Sequence, residues 1–216
     1  KIPKLLKNKL VNKRINQVYK RFEKSLNINQ DFIVAVSGGP DSLALAFLAK
    51  IYSFKKNLTS KFFIVDHKLR VNSTDEAKQV KRVLKRLHIK AEILTWKGQK
   101  PVNNIQSLAR KKRYELLFNK CKRFKIFNIL LGHHQDDLFE NFFIRMLRGS
   151  GLKGLISLEK KKNIKDIILL RPLLDERKND LIYISKKVFN FYIKDPYNNY
   201  EKFQRIKIRK IIEGLR

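Results

Sequence analysis

Three short clusters in this chain carry residue types at spacings that could do chemistry. The first, Ser37-Gly38-Gly39-Pro40-Asp41-Ser42, joins an apolar run to the helix-forming stretch Leu43 to Ala49. Its glycines permit a sharp turn and close approach of a ligand to the backbone. A strand–loop–helix junction also turns unpaired N–H groups and the positive end of a helix dipole toward an anion. The loop has neither the Gly-x-x-x-x-Gly-Lys nor the Gly-x-Gly-x-x-Gly phosphate pattern, and an ordinary glycine turn is its plain alternative. The second cluster is Asp66, His67 and Arg70. The third is Gly132-His133-His134-Gln135-Asp136-Asp137 with Glu140. On a helix, Asp136 and Asp137 lie four and three residues before Glu140, so the carboxylates share a face. These groups suit Mg²⁺ shared with phosphate oxygens better than a transition metal; a solvated acidic helix start is the alternative. Arg110 and Arg113 form a guanidinium pair suited to phosphates, or else an exposed basic face.

The elements that must position these clusters read as alternating strands and helices. Phe32 to Val36 is β-branched and apolar on both sides, as in a central parallel strand. Further strands are expected at 61–66, 91–96, 127–132 and 166–170. Helices are expected after the first loop, from Ser73 to Leu87, over 104–121, after His133 to Asp137, over 176–188, and over the basic stretch 199–215. Ser73 with Glu76 reads as a capping box. Ile105, Leu108, Leu116 and Leu117 are core candidates of the 104–121 helix. Residues 4–25 form an amphipathic helix or helix pair with a basic outer face, and residues 149–166 read as a flexible excursion. The predicted fold is α/β: a doubly wound parallel sheet of about five strands, helices on both faces, with its crevice outside the carboxyl ends of the strands. All three clusters then meet at that crevice. We divide the chain into an N-terminal basic helical segment, 1–28, and a catalytic domain, 29–216.

Composition narrows the partners. The 216 residues hold 50 Lys and Arg against 19 Asp and Glu, a net charge of +31. So basic a body repels itself unless a polyanion shares the charge, and nucleic acid is the first expectation. Part of the excess fits a general drift toward Lys, Ile, Asn and Phe. No stretch approaches the ~20 apolar residues of a membrane span, and no leader pattern is present. A single cysteine, Cys121, excludes an internal disulfide or a Cys-x-x-Cys centre and suggests a reducing compartment, a bacterial cytoplasm or an organelle of bacterial origin.

The first loop resembles the Ser-Gly-Gly-x-Asp-Ser signature of the PP-loop ATP pyrophosphatases. Beyond it, Asp66-His67-x-Leu69-Arg70, Ala109 to Tyr114, Leu131 to Asp137 with Glu140, Arg145 to Leu155, and Arg171 to Leu174 with Arg177 resemble in order the motifs of the tRNA(Ile)-lysidine synthases. The resemblance covers about residues 30–210. Asp195-Pro196-Tyr197-Asn198 with Arg205 and Arg209 is similar to that family's closing motif, with Tyr197, Tyr200 and Ile206 departing from its pattern, as does Asn141 after Glu140. The family's extra C-terminal domains have no counterpart here.

The resemblance implies a two-step ligation. The O2 of the wobble cytidine of a CAU-anticodon isoleucine tRNA attacks the α-phosphate of ATP, releasing pyrophosphate. The amine of free lysine then displaces AMP at C2, giving lysidine. It implies an ATP site at Ser37, Gly38, Gly39, Pro40, Asp41, Ser42, His67, Arg70 and Gly132. Catalytic residues would be Asp41, Arg113, His133, Asp136, Asp137 and Glu140, with Mg²⁺ on Asp41 and Asp137, and tRNA contacts at Arg110, Arg145, Arg148, Arg205 and Arg209. Spacing does not separate metal ligand from lysine ligand within the acidic cluster, and leaves open whether the chain acts as a homodimer. A tRNA thiolase of the same superfamily, a small-molecule PP-loop ligase and a non-catalytic RNA binder are the rivals. Thiolases need cysteines beyond Cys121.

Overall fold

The computed structural model describes residues 2–98, 104–149 and 158–193. Two short helices, α1 (Lys4–Leu10) and α2 (Lys13–Leu26), precede strand β1 (Phe32–Val36). Then follow α3 (Pro40–Lys56), β2 (Ser60–Asp66), α4 (Ser73–Lys85), β3 (Ala91–Thr95), α5 (Ile105–Phe124), β4 (Asn128–Leu130) and α6 (Gln135–Leu147). A hairpin of β5 (Lys161–Ile164) and β6 (Ile167–Leu170) leads to α7 (Lys178–Phe189). The sheet order is β3-β2-β1-β4-β6-β5, parallel throughout except for β5, which pairs antiparallel with β6.

Alternation along β1 explains the two-faced core. Phe32, Val34 and Val36 pack with α2, α3, α4 and α7, while Ile33 turns to the opposite face with Leu117 and Cys121 of α5. α3 is buried along nearly its whole length, from Ser42 to Ser53, and is the central helix of the first face. The amphipathic N-terminal segment is a helix pair, and its Leu6, Ile15, Val18 and Phe22 enter the same core. Asn27, Asn57 and Asn190 close α2, α3 and α7 in the left-handed conformation, where asparagine costs less than most residues.

The sheet has six strands, one more than expected. The extra strand, β5, falls inside the stretch 149–166, so that stretch is not wholly an irregular excursion. Its residues Lys161 to Asn163 are exposed, which suits a lysine-protected sheet edge. Ile105 is 43% exposed and is not a core residue; Leu117 is fully buried. The closing stretch 199–215 lies outside the described residues, as do Arg205 and Arg209.

Candidate active site

The first loop is held from within. Ser42, the third residue of α3, is buried; its Oγ accepts the N–H groups of Ser37 and Gly38, each at 3.1 Å, and donates to Gly39 O at 3.0 Å. Two of the loop amides are thus already engaged. The first-turn N–H groups of Asp41 and Ser42, which have no intrahelical acceptor, remain available to an anion, while Pro40 at the first position has no N–H to offer. The two glycines differ in their reason for being there. Gly38 has φ +91°, and a Cβ on it would lie 2.5 Å from Val80 Cγ2. Gly39 has ordinary backbone, and a Cβ there would meet only Ser37 Oγ, at 3.8 Å. Gly38 serves the fold behind the loop, and Gly39 faces the open side. The loop is braced from outside as well: Ser185 Oγ of α7 donates to Pro40 O at 2.6 Å, and Ile193 N donates to Gly38 O at 2.9 Å.

A cavity of about 440 Å³ opens over the carboxyl ends of β1, β2 and β4. Ser37, Gly39, Asp41, Ser42, His67, Arg70, Arg113, Gly132 and His133 all line it, whereas Gly38 and Pro40 stand behind it. Gly132 lets β4 come close to the start of α3, since a Cβ there would sit 3.2 Å from Ser42 N. Arg113 contributes a buried Nε with no hydrogen-bond partner, a cationic donor prepared for an anion. His67 is kept neutral: burial and the charge of Arg113 lower its pKa, against a smaller pull from Asp66.

The second cluster is organised differently from the capping box expected of Ser73 and Glu76. Asp66 is buried and accepts Lys68 N, Ser73 Oγ and Thr74 Oγ1 at 2.7–2.9 Å. Burial alone would raise its pKa, yet these bonds bring it below the usual carboxylate range. Glu76 instead pairs with Arg70 at 2.8 Å. The buried carboxylate at the end of β2 outcompetes the helix terminus for the serine hydroxyl.

The two histidines have separate tasks. His134 is the N-cap of α6: its Nδ1 accepts Asp136 N at 3.2 Å, while Asp137 Oδ2 accepts His134 N at 3.0 Å, a reciprocal capping box. Its Nε2 lies 3.6 Å from Asp41 Oδ2 and 3.5 Å from Asp137 Oδ2, tying the two carboxylates together. Burial pulls its pKa down, but the Asp41 contact and the Asp137 and Asp41 charges outweigh it, and the net shift is upward. His133 shifts the other way. Burial first, then the guanidinium groups of Arg171, Arg113 and Arg110, push it down to about 3. Arg171, buried and bonded to Glu159 O, donates its Nε to His133 Nδ1 at 3.2 Å. The neutral ring therefore carries its proton on Nε2, where it can act as a donor.

Asp136, Asp137 and Glu140 sit on α6 beyond the cavity lining, and Asp137 is linked to it through His134 and Asp41. Burial, then the charges of Asp41 and Glu140, raise the Asp137 carboxyl despite His134. Asp41 Oδ1 is buried without a hydrogen-bond partner. No cluster of three or more metal-ligating side chains exists among the described residues, so any Mg²⁺ here would depend on phosphate oxygens for most of its ligands. Arg110 is exposed, and Arg145 and Arg148 lie at the far end of α6. In the sequence His134 stands in the third cluster with no role of its own, and Arg171 has none. The three-residue spacing of His134 and Asp137 was a usable signal for the cap.

No helix among the described residues is long and apolar enough to cross a membrane. A family model described as a PP-loop domain matches residues 7–215. The tRNA(Ile)-lysidine synthase of Orientia tsutsugamushi is 38% identical over 187 residues, covering 87% of this chain and 42% of that protein. That of Bradyrhizobium diazoefficiens is 36% identical over 185 residues, covering 85% and 51%. The chain spans about half the length of the curated relatives it matches. Among solved structures, the U34-tRNA thiolase NcsA from Methanococcus maripaludis with its 4Fe–4S cluster superposes with a TM-score of 0.78 at 20% identity, over 94% of this chain and 73% of that one, a likeness of fold. With a match over nearly its whole length, on the loop and sheet just described, the chain belongs to the PP-loop family.

Proposed function

We propose that this chain carries the catalytic domain of a tRNA(Ile)-lysidine synthase, which uses ATP to activate the wobble cytidine of a CAU-anticodon isoleucine tRNA and joins free lysine to it. The observation that carries the proposal is the pair of unpartnered buried groups in one PP-loop cleft, a carboxylate oxygen on Asp41 and a guanidinium N–H on Arg113. One suits a cation and the other an anion, as a nucleoside triphosphate with its metal requires. The tRNA(Ile)-lysidine synthases among the relatives supply the substrate class.

In the first step, the cytidine O2 forms a bond to the α-phosphorus of ATP as the bond to pyrophosphate breaks. The α3 N-terminus and the Arg113 Nε hold the phosphates and offset the negative charge that develops on them. His133 Nε2–H adds a neutral donor to the same wall. Bound Mg²⁺ would supply Lewis-acid neutralisation of phosphate charge, and Asp41, whose Oδ1 has no hydrogen-bond partner, is the residue that would hold it. In the second step, the lysine amine attacks C2 and AMP leaves. Asp137, raised by burial and neighbouring carboxylates, is the best-placed group to take the ammonium proton, and Asp136 and Glu140 lie beside it to hold the ammonium. Arg110, Arg145 and Arg148 are the proposed tRNA contacts within the described residues.

The thiolase alternative is disfavoured by Cys121, which is fully buried against the sheet with its thiol pushed up by burial to about 12. Such a thiol is neither a cluster ligand nor a sulfur carrier. The test is incorporation of labelled lysine, with ATP and Mg²⁺, into unmodified CAU-anticodon isoleucine tRNA compared with the initiator tRNA that shares the anticodon. Label in the isoleucine tRNA alone is expected. Absence of label from both would remove the proposal.

A further inference from the structure

The sheet has a second cavity at its other end. It encloses about 430 Å³ and is walled by Lys61 where β2 begins, Lys90 just before β3, Lys50 of α3, His88, and Phe124 at the end of α5. At ~3.3 Å per residue, the start of β2 lies about 20 Å from Asp66 at its end, so this cavity opens at the far end of the strand from the cleft, with Phe63 in the wall of both. Three ammonium groups share it, and none of the three pairs with a carboxylate among the described residues. The acid on its wall, Glu92, is bonded to Lys120. Aromatic rings hold two of the ammonium groups without neutralising them: Lys50 Nζ lies 4.4 Å from the Phe54 ring centroid and Lys61 Nζ 4.1 Å from that of Phe124. Burial lowers the pKa of Lys50, consistent with a charge set there without a counter-ion. Like charges around one cavity repel each other until an anion enters.

Helix α5 connects the two cavities. Arg113 lines the cleft and Phe124 lines the second cavity, eleven residues or about 16 Å apart along the helix. Between them Lys120 and Arg123 also lean over Phe124. The second cavity has point charges and rings, without a glycine loop to shape around a free nucleotide, and such a site reads backbone charge and not base identity. We infer that this lysine-lined cavity is a second phosphate-binding site, which takes the sugar–phosphate backbone of the RNA whose reacting base occupies the cleft; this rests on the RNA substrate proposed above.

The test measures binding of the unmodified CAU-anticodon isoleucine tRNA to the full chain across a salt series. With Lys50→Gln, Lys61→Gln and Lys90→Gln combined, the slope of log K against log salt should become shallower by about two to three, and affinity should fall roughly tenfold or more at about 0.1 M salt. The corresponding triple arginine variant should keep the wild-type slope. An unchanged slope in the glutamine variant overturns the inference. On the unmutated chain, acylation of Lys61 and Lys90 followed by mass spectrometry should show protection by tRNA and none by ATP or inorganic pyrophosphate. Protection by either small anion, or none by tRNA, also overturns it. A changed slope without lysine incorporation would remove the proposed function and leave this surface standing. Incorporation with an unchanged slope would do the reverse.

Discussion

Gly38→Ala should destabilise the chain by about 2–5 kcal/mol, and the two parts of that cost can be separated. The residue has φ +91°, where a Cβ collides with the neighbouring carbonyl at roughly 1–2 kcal/mol. The added methyl would also sit 2.5 Å from Val80 Cγ2 and 2.7 Å from Ile193 Cδ1, an overpacking of about 1–3 kcal/mol. Ile193 can swing its side-chain end aside. Val80, fully buried on α4 and β-branched, cannot. Urea unfolding followed by the fluorescence of Trp96 gives the stabilities of Gly38→Ala, Val80→Ala and the double variant. The steric part should appear as a coupling, with the double variant more stable than the sum of the singles by about 1 kcal/mol or more, and the backbone part should persist. A Gly38→Ala variant within about 0.5 kcal/mol of wild type would refute the account of the loop, and strict additivity would refute the contact with α4.

Other consequences follow from particular contacts. Arg21 grips buried Glu176 with two bonds, at 2.9 and 2.6 Å, and the Glu176 carbonyl accepts Gln135 N at the start of α6. Arg21→Ala should therefore cost about 2–3 kcal/mol in chemical denaturation, and a cost near zero would show that the pair is surface decoration. His133 is held at about 3 against an ordinary value near 6.5. In that window the unfolded chain binds the extra proton, so the contribution of His133 is full above pH ~6.5 and is lost as pH falls toward about 3. The acid limb of the stability curve should be shallower in His133→Gln, and an unchanged limb would contradict the neutral-donor assignment. Cys121 should resist iodoacetamide at pH ~8 until urea unfolds the chain, and Cys121→Ala should retain lysine incorporation. Loss of incorporation in a folded variant would bring sulfur chemistry back.

What could be read without the structure depended on whether a residue's partner lies close in sequence. The junction from Phe32 to Ser42 was legible because strand, turn and helix signals are contiguous, and the βα alternation placed three clusters at one sheet end. β5 was not legible, because an exposed edge strand of Lys161, Lys162 and Asn163 has the composition of a loop. Ser73 and Glu76 fitted a local pattern and lost it to partners outside that pattern, Asp66 and Arg70. The different protonation of His133 and His134 depends on Arg171 and Asp41, 38 and 93 residues away in sequence, which no local spacing encodes.

The most direct test of the central claim is to supply α-labelled ATP, Mg²⁺ and unmodified CAU-anticodon isoleucine tRNA while withholding lysine. Label should move onto the tRNA as an adenylate and be released as AMP when lysine is added, and Asp41→Asn and Arg113→Ala should each abolish the transfer while the chain remains folded. Transfer that survives either substitution, or AMP release with no labelled tRNA at any time, would contradict the assignment of this cleft to cytidine activation.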